Sequence, residues 1–209
     1  MPQPPTLKIK EIFFSAAGEG RRQGQPTIFI RLSGCNLRCS FCDTRYAWSG
    51  GKSMSVDEVL GQVEKLKERY LTDWVCLTGG EPLLQDVSSL LRQLKRAGFS
   101  IHIETNGTRP LPVKPDWLTV SPKPPQYRVT DDCLRQASEV KLVVARSLKL
   151  EEIKKVRQMF PESIPLLLQP QSNAGWSYKK AWKFYVQAVG EGLPNIRLSC
   201  QLHKIYGIK

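Results

Sequence analysis

Short apolar runs alternate with amphipathic stretches along most of this chain, and that alternation limits what it can fold into. LKIKEIFF (7–14), TIFIRLSG (27–34), WVCLT (74–78), FSIHIET (99–105), WLTV (117–120), EVKLVV (139–144), PLLLQP (165–170) and IRLSC (196–200) read as strands. Helical patterns lie between them. SVDEVLGQVEKLKERY (55–70) opens on a capping box from Ser55 to Glu58, and Val59, Leu60, Val63, Leu66 and Tyr70 share one face. DVSSLLRQLKRAG (86–98) turns Val87, Leu90, Leu91 and Leu94 inward and stops at Gly98. LKLEEIKKVRQMF (148–160) and the region around YKKAWKFYVQAVG (178–190) read as further helices. Strand–helix alternation builds a parallel α/β sheet or an open barrel. The helical signal after WLTV is weak, which argues against eight complete units. A chain of 209 residues suits one domain, 1–209.

The chemically unusual residues fall at the C-terminal ends of the strands. The cysteines follow TIFIRLSG, TGGEP (78–82) follows WVCL, and ETNG (104–107) ends FSIHI. SPKPP (121–125) ends WLTV, QPQS (169–172) ends PLLL, and QLHK (201–204) ends IRLSC. Parallel α/β folds bind ligands at that edge of the sheet, so these segments are expected around one mouth.

Composition narrows the chemistry. No stretch is apolar enough to span a membrane, and MPQPPTLKIK has no signal-peptide core, so a cytoplasmic protein without a membrane partner is expected. In a reducing compartment, clustered thiols mean metal or redox chemistry rather than disulfides. Of the six cysteines, Cys76 in WVCL reads as a buried core thiol, and Cys133 and Cys200 receive no role. The net charge of +12 is spread over predicted helices: Lys65, Lys67 and Arg69, then Lys154, Lys155 and Arg157, then Lys179, Lys180 and Lys183. These read as solvated helix faces. No aromatic-plus-basic pattern accompanies them, so no nucleic-acid partner is expected.

GCNLRCSFCDT spaces Cys35, Cys39 and Cys42 as CxxxCxxC. A structural zinc site takes four ligands, and no fourth stands nearby: His203 is distant and His102 alternates within a strand. A [4Fe–4S] cluster also normally takes four protein ligands, so three thiols leave one iron open. An open iron accepts a small chelator such as the amino and carboxylate groups of S-adenosylmethionine. Gly79 and Gly80 let backbone approach such a ligand, and TGGEP offers carbonyls and Glu81 to its amino group. Ser121 and Lys123 add a hydroxyl and a cation. The bland alternatives are a Gly–Gly turn, a solvated loop lysine and, at Asn106–Gly107, a plain turn.

With these motifs together, the chain resembles the 7-carboxy-7-deazaguanine synthases of the radical S-adenosylmethionine superfamily. The resemblance rests on EIFFSAAGEG, FIRLSGCNLRCSFCDT, LTGGEPLLQ, IETNGT, SPK, EVKLVV, LQP and QLHK, from Glu11 to the C-terminus. It implies an incomplete, truncated parallel β/α barrel of the radical SAM type. It implies conversion of 6-carboxy-5,6,7,8-tetrahydropterin, through a 5′-deoxyadenosyl radical that takes hydrogen from C6, to 7-carboxy-7-deazaguanine with loss of ammonia. The product feeds queuosine and other deazapurines. By the same resemblance Cys35, Cys39 and Cys42 hold the cluster, and Thr44 gives its hydroxyl to Mg2+. Phe41 and Asp43 lie beside the cluster. Gly79, Gly80, Glu81, Asn106, Ser121, Pro122, Lys123, Gln169, Pro170, Gln171 and Ser172 line the S-adenosylmethionine site.

The pterin carries a carboxylate, which suits the guanidinium of Arg31. Its amino-pyrimidinone edge wants acceptors, for which Glu19, Glu104 and the carboxylate of Lys209 are candidates. Ala16, Ala17, Gly18, Thr78 and His203 complete that pocket. Related chains often read S-x-Q-G-E-G where this one has Ala17, so contacts there are backbone-only or replaced. The resemblance also implies a homodimer and a reduced flavodoxin-type electron donor. Two other readings share parts of the pattern: a glycyl-radical activating enzyme, and a metal-containing RNA-binding module suggested by the charge.

Overall fold

The computed structural model describes residues 6–209, which divide into two compact units. The first comprises the described residues up to Ser15, with Pro26–Thr105 and Arg109–Leu118; the second comprises Ala16–Gln25, Asn106–Thr108 and Thr119–Lys209.

The first unit carries β1 (Thr6–Ala16, its last residue in the other unit), β2 (Pro26–Leu32), β3 (Lys52–Ser55), α1 (Val56–Tyr70), β4 (Trp74–Gly79), α2 (Ser88–Arg96) and β5 (Ser100–Thr105). Its strand order is β3-β1-β2-β4-β5. β2, β4 and β5 run parallel, with Ile28 opposite Val75 and Val75 opposite Ile101. Ile28, Ile30, Leu32, Val75, Leu77, Ile101 and Ile103 are buried, as are Val59 and Val63 of α1 and Leu90, Leu91 and Leu94 of α2. The pleat sends the alternate residues to the other face: Phe29 and Arg31, Cys76 and Thr78, His102 and Glu104. Cys76 is fully buried, as its apolar run predicts.

The expected capping box forms at α1: Glu58 N donates to Ser55 Oγ (3.2 Å), and Ser55 N donates to the Glu58 carboxylate (2.7 Å). β3 was not expected. It adds antiparallel to β1, pairing Leu7 with Met54, and of its four residues only Met54 is buried.

The second unit carries β6 (Trp117–Val120, its first two residues in the other unit), α3 (Asp131–Gln136), β7 (Glu139–Val144), α4 (Leu150–Met159), β8 (Leu166–Pro170), α5 (Gly175–Gly190), β9 (Ile196–Leu198) and α6 (Leu202–Tyr206). The order is β6-β7-β8-β9, all parallel. Val140, Leu142, Val144, Leu166 and Leu168 are buried, along with Ile153 and Val156 of α4 and Ala188 of α5. β7 carries charge in this interior: Glu139 and Lys141 are both buried. One expected solvated charge is also inside. Arg157 is buried, and its guanidinium donates to the carbonyls of Phe160 (3.0 Å), Pro161 (2.5 Å) and Ile164 (2.6 Å) beyond α4. Those carbonyls have no helical partner, and a terminal arginine supplies one.

Among the described residues no helix is long and apolar enough to cross a membrane. α1 packs against β2, β3 and α2, so its cap bears on several elements of the first unit. Ser55→Ala should lower stability by about 1 kcal/mol, measured by denaturant unfolding; an unchanged midpoint would show that the box contributes nothing.

Candidate active site

In the first unit β2 ends at Leu32, and Gly34 (φ +103°) turns the chain into the cysteine loop. The loop is anchored at both ends: Gly34 N donates to Ala47 O (2.9 Å) and Ala47 N to Thr44 O (3.0 Å). Within it, Cys42 N donates to Cys39 O (3.0 Å), and Thr44 N donates to Cys42 Sγ (3.4 Å). An N–H aimed at sulfur tunes a metal bound there. Cys35, Cys39 and Cys42 are half-buried and in no disulfide, while Asn36, Leu37, Arg38 and Ser40 between them are exposed. Phe41 is half-buried and Asp43 exposed. Thr44 Oγ1 donates to Asp43 Oδ1 (3.0 Å), which leaves the hydroxyl lone pairs and the carboxylate as oxygen ligands.

The TGGEP turn lies backbone to backbone against that strand end. Gly80 N donates to Leu32 O (3.1 Å) and Glu81 N to Gly34 O (2.8 Å). A Cβ on Gly80 would stand 2.0 Å from Gly34 O, and Gly79 adopts φ +128°. Only glycine permits this approach. Glu81 is fully buried, and its Oε1 accepts from Leu83 N (3.0 Å) and Thr105 Oγ1 (2.7 Å). That oxygen is therefore held inside the turn, and the turn's backbone is what it offers outward.

Arg31 stands opposite Thr78, and Thr78 Oγ1 donates to Glu104 Oε2 (3.2 Å). The structure thus brings these three expected substrate residues onto one face of three neighbouring strands. It adds a partner that the sequence did not reveal. Arg31 Nε donates to Glu11 Oε1 (2.8 Å), which Tyr46 also reaches (2.8 Å).

In the second unit the loop after β1 closes through Ala17 N to Gln25 O (2.8 Å) and Gly24 N to Ala17 O (2.8 Å). Ala16 precedes it at the strand end. Gly18 O accepts from Leu202 N (2.8 Å), and a Cβ on Gly18 would stand 2.2 Å from His203 Nδ1. Gly18 and His203, far apart in sequence, are thus neighbours. Glu19 is cradled by side chains: Lys141 Nζ pairs with Oε2, and Gln201 Nε2 donates to Oε1 (2.7 Å). Burial pushes the Glu19 carboxyl up, but the Lys141 charge and hydrogen bonds from Lys141, Gln169 and Gln201 outweigh it and hold the group below its usual range.

Ser121 Oγ donates to Lys141 O (2.8 Å), and Lys123 Nζ donates to Ser121 O (2.8 Å), with buried Pro122 between. Gln169 and Pro170 are buried at the end of β8, Gln171 N donates to Ser177 Oγ (2.6 Å), and Ser172 (φ +51°) is exposed. Asn106 Oδ1 accepts from Thr108 N (2.9 Å) and Oγ1 (2.6 Å), an Asx turn. Lys209 is exposed beyond α6. Sequence reasoning did not name Glu11, Lys141 or Gln201 as site residues. The readable signal was a lysine inside the apolar run EVKLVV.

A family model of the radical SAM superfamily matches residues 29–119, which include the cysteine loop and the glycine turn. A 7-carboxy-7-deazaguanine synthase from Methanospirillum hungatei JF-1 is 38% identical over 212 residues, covering 97% of this chain and 86% of that protein. The chain belongs to the 7-carboxy-7-deazaguanine synthase family. One from Thermoplasma acidophilum is 35% identical and covers 96% of this chain and 98% of its own length. The crystal structure of QueE from Escherichia coli matches with a TM-score of 0.78 at 29% identity, covering 95% of both chains. The fold is accordingly the incomplete parallel β/α barrel of radical SAM enzymes. This whole-length likeness favours neither the glycyl-radical activase nor the RNA-binding reading.

The donors of this chain fit the cofactors of a radical SAM 7-carboxy-7-deazaguanine synthase. Three soft thiols on one loop suit an iron–sulfur cluster. The bare backbone at Gly80, where a Cβ would collide, suits close approach by S-adenosylmethionine. Gly80→Ala should cost about 1–3 kcal/mol by forcing Gly34 away and weaken S-adenosylmethionine binding by more than tenfold. Thermal unfolding and titration calorimetry on the cluster-loaded protein read both; an unchanged melting temperature would contradict the close approach.

Proposed function

We propose that this chain converts 6-carboxy-5,6,7,8-tetrahydropterin to 7-carboxy-7-deazaguanine and ammonia. The observation that carries the reading is the three-thiol loop held against a side-chain-free turn, in a chain similar over nearly its whole length to synthases of this name. Product and substrate differ by ammonia alone, so the reaction involves no net oxidation. When bound, the cluster and S-adenosylmethionine supply one-electron chemistry able to remove hydrogen from an unactivated C–H bond.

The chain's residues then bind, orient and shield. Cys35, Cys39 and Cys42 hold the cluster, with Phe41 and Asp43 beside it. Gly79 and Gly80 present backbone to S-adenosylmethionine, with Glu81 fixing the turn. Asn106, Ser121, Pro122, Lys123 and Gln169–Ser172 line the remainder. Thr44 binds Mg2+, a cation that takes oxygen ligands and keeps several waters. Arg31 meets the pterin carboxylate, and Glu11 fixes its orientation. Glu19, Glu104 and the Lys209 carboxylate receive the pyrimidinone edge, and Ala16, Ala17, Gly18, Thr78 and His203 complete that pocket. The chain works as one radical SAM domain over 1–209, as a cytoplasmic homodimer with no membrane or nucleic-acid partner. A reduced flavodoxin-type protein supplies the electron.

Anaerobic reconstitution with iron and sulfide, followed by reductant, S-adenosylmethionine, Mg2+ and the pterin, should give the carboxy-deazaguanine by chromatography. Cys39→Ala should lose the cluster absorbance and all turnover. A colourless wild-type protein that never cleaves S-adenosylmethionine would refute the reading. Flavodoxin-supported turnover should fall steeply as salt rises, because a chain of charge +12 attracts an acidic donor over a screened distance. Salt-independent turnover would remove that donor assignment. Light scattering should return twice the chain mass for the homodimer.

A further inference from the structure

We propose that Lys141 is a positioning residue of this reaction, acting through Glu19 to set affinity for the pterin. The proposal rests on the synthase reading above. β7 is a buried strand, and a lysine among Val140, Leu142 and Val144 needs a reason. Lys141 is 5% exposed, and its ammonium reaches the Glu19 carboxylate from a strand 122 residues away in sequence. Breaking one partner of such a pair leaves an uncompensated buried charge.

The geometry gives each carboxylate oxygen its own donor. Lys141 takes Oε2 and Gln201 takes Oε1. An ionised carboxylate offers about four lone-pair sites, so the cradle fixes its plane without exhausting it as an acceptor. Glu19 needs this fixing, because it sits in a loop and belongs to no strand or helix. The loop's backbone closure runs through Ala17, Gly24 and Gln25, on either side of Glu19.

Lys141 also links the expected binding segments of this unit. Its carbonyl accepts from Ser121 Oγ, and Ser121 receives Lys123. Its side chain holds Glu19, which Gln169 and Gln201 also reach. Another buried carboxylate, Glu139, lies on the same strand face two positions earlier. It accepts from Arg21 N (2.8 Å) and Thr119 Oγ1 (2.7 Å) and so has its own donors. One rigid strand residue therefore aligns a hydroxyl of the cofactor segment and a carboxylate of the pterin segment.

A double-mutant cycle tests this on the reconstituted enzyme, with Lys141→Met, Glu19→Gln, both together, and Lys141→Arg. Pterin affinity and KM, kcat, S-adenosylmethionine affinity and cluster absorbance are measured for each. Lys141→Met should raise the pterin KM roughly ten- to hundredfold, the range for a lost hydrogen bond to a charged group. S-adenosylmethionine affinity and cluster content should hold. The double variant should be no worse than Glu19→Gln alone, because the two act as one unit. Lys141→Arg should recover most of the loss. Additive losses, or a fall in kcat with unchanged pterin KM, would overturn the proposal. If Lys141→Met does not fold, the double variant, which leaves no carboxylate without its cation, is compared with Glu19→Gln instead, and a further rise in pterin KM in the double variant overturns the proposal. Wild-type turnover in the same assay tests the synthase reading separately: its absence sinks both, while turnover unaffected by Lys141→Met sinks this proposal alone.

Discussion

A strand buried on both faces cannot carry charge unless the fold returns an opposite charge or hydrogen-bond donors to it. β7 places Glu139 and Lys141 in such a position, and the rest of the second unit is arranged to answer them. The loop 16–25 supplies Glu19 to the lysine and the Arg21 amide to Glu139, while β6 supplies Thr119. Left unpaired, either group would cost several kcal/mol. Satisfied, they tie a loop with no regular structure to a strand that cannot move. The first unit solves the same problem on β2, where Arg31 leans on Glu11 and stacks 5.5 Å from the Phe13 ring. Charged side chains held in this way lose little further freedom on meeting a ligand, which is what pre-organisation requires.

The cysteine loop follows the opposite strategy. Its thiols are half-buried and most of the residues between them are exposed, so packing does little to define it. It is defined by backbone contacts at its rim: Gly34 to Ala47, and the glycine turn laid against Leu32 and Gly34. A loop with a fixed rim and a loose centre suits a ligand that brings its own rigidity. An iron–sulfur cluster is such a ligand.

Much of this architecture was legible because the physical cause lay within a few residues. β7 spans the EVKLVV run, and α1 starts at its Ser55–Glu58 box, since alternation and capping are local. Elements without a local apolar pattern were missed. β3 reads KSMS and gains its pairing only from β1, 43 to 49 residues earlier; α3 has six residues and one buried side chain, Cys133; α6 has five residues and none buried. Charge partners were invisible for the same reason. Nothing near Glu11 announces Arg31, and nothing near Glu19 announces Lys141, because each pair meets only after strands are placed. Arg157 was read as a solvated helix charge, since its duty to the carbonyls beyond α4 depends on how the chain leaves that helix.

Ala17 shows how structure refines a departure that sequence could only flag. Its amide and carbonyl are both engaged within the loop, to Gln25 and Gly24, and the residue is buried. A backbone contact from Ala17 to substrate would have to open that closure. The neighbouring positions are built differently. Gly18 lies against His203, and its carbonyl receives the Gln23 amide (3.1 Å), which also reaches Cys200 O (3.2 Å). Gln23 thus brings a side-chain amide to the loop from within it, six positions after the residue that lacks one. Gly18 and Glu19 thus set a side-chain-free backbone and a cradled carboxylate next to each other in this segment.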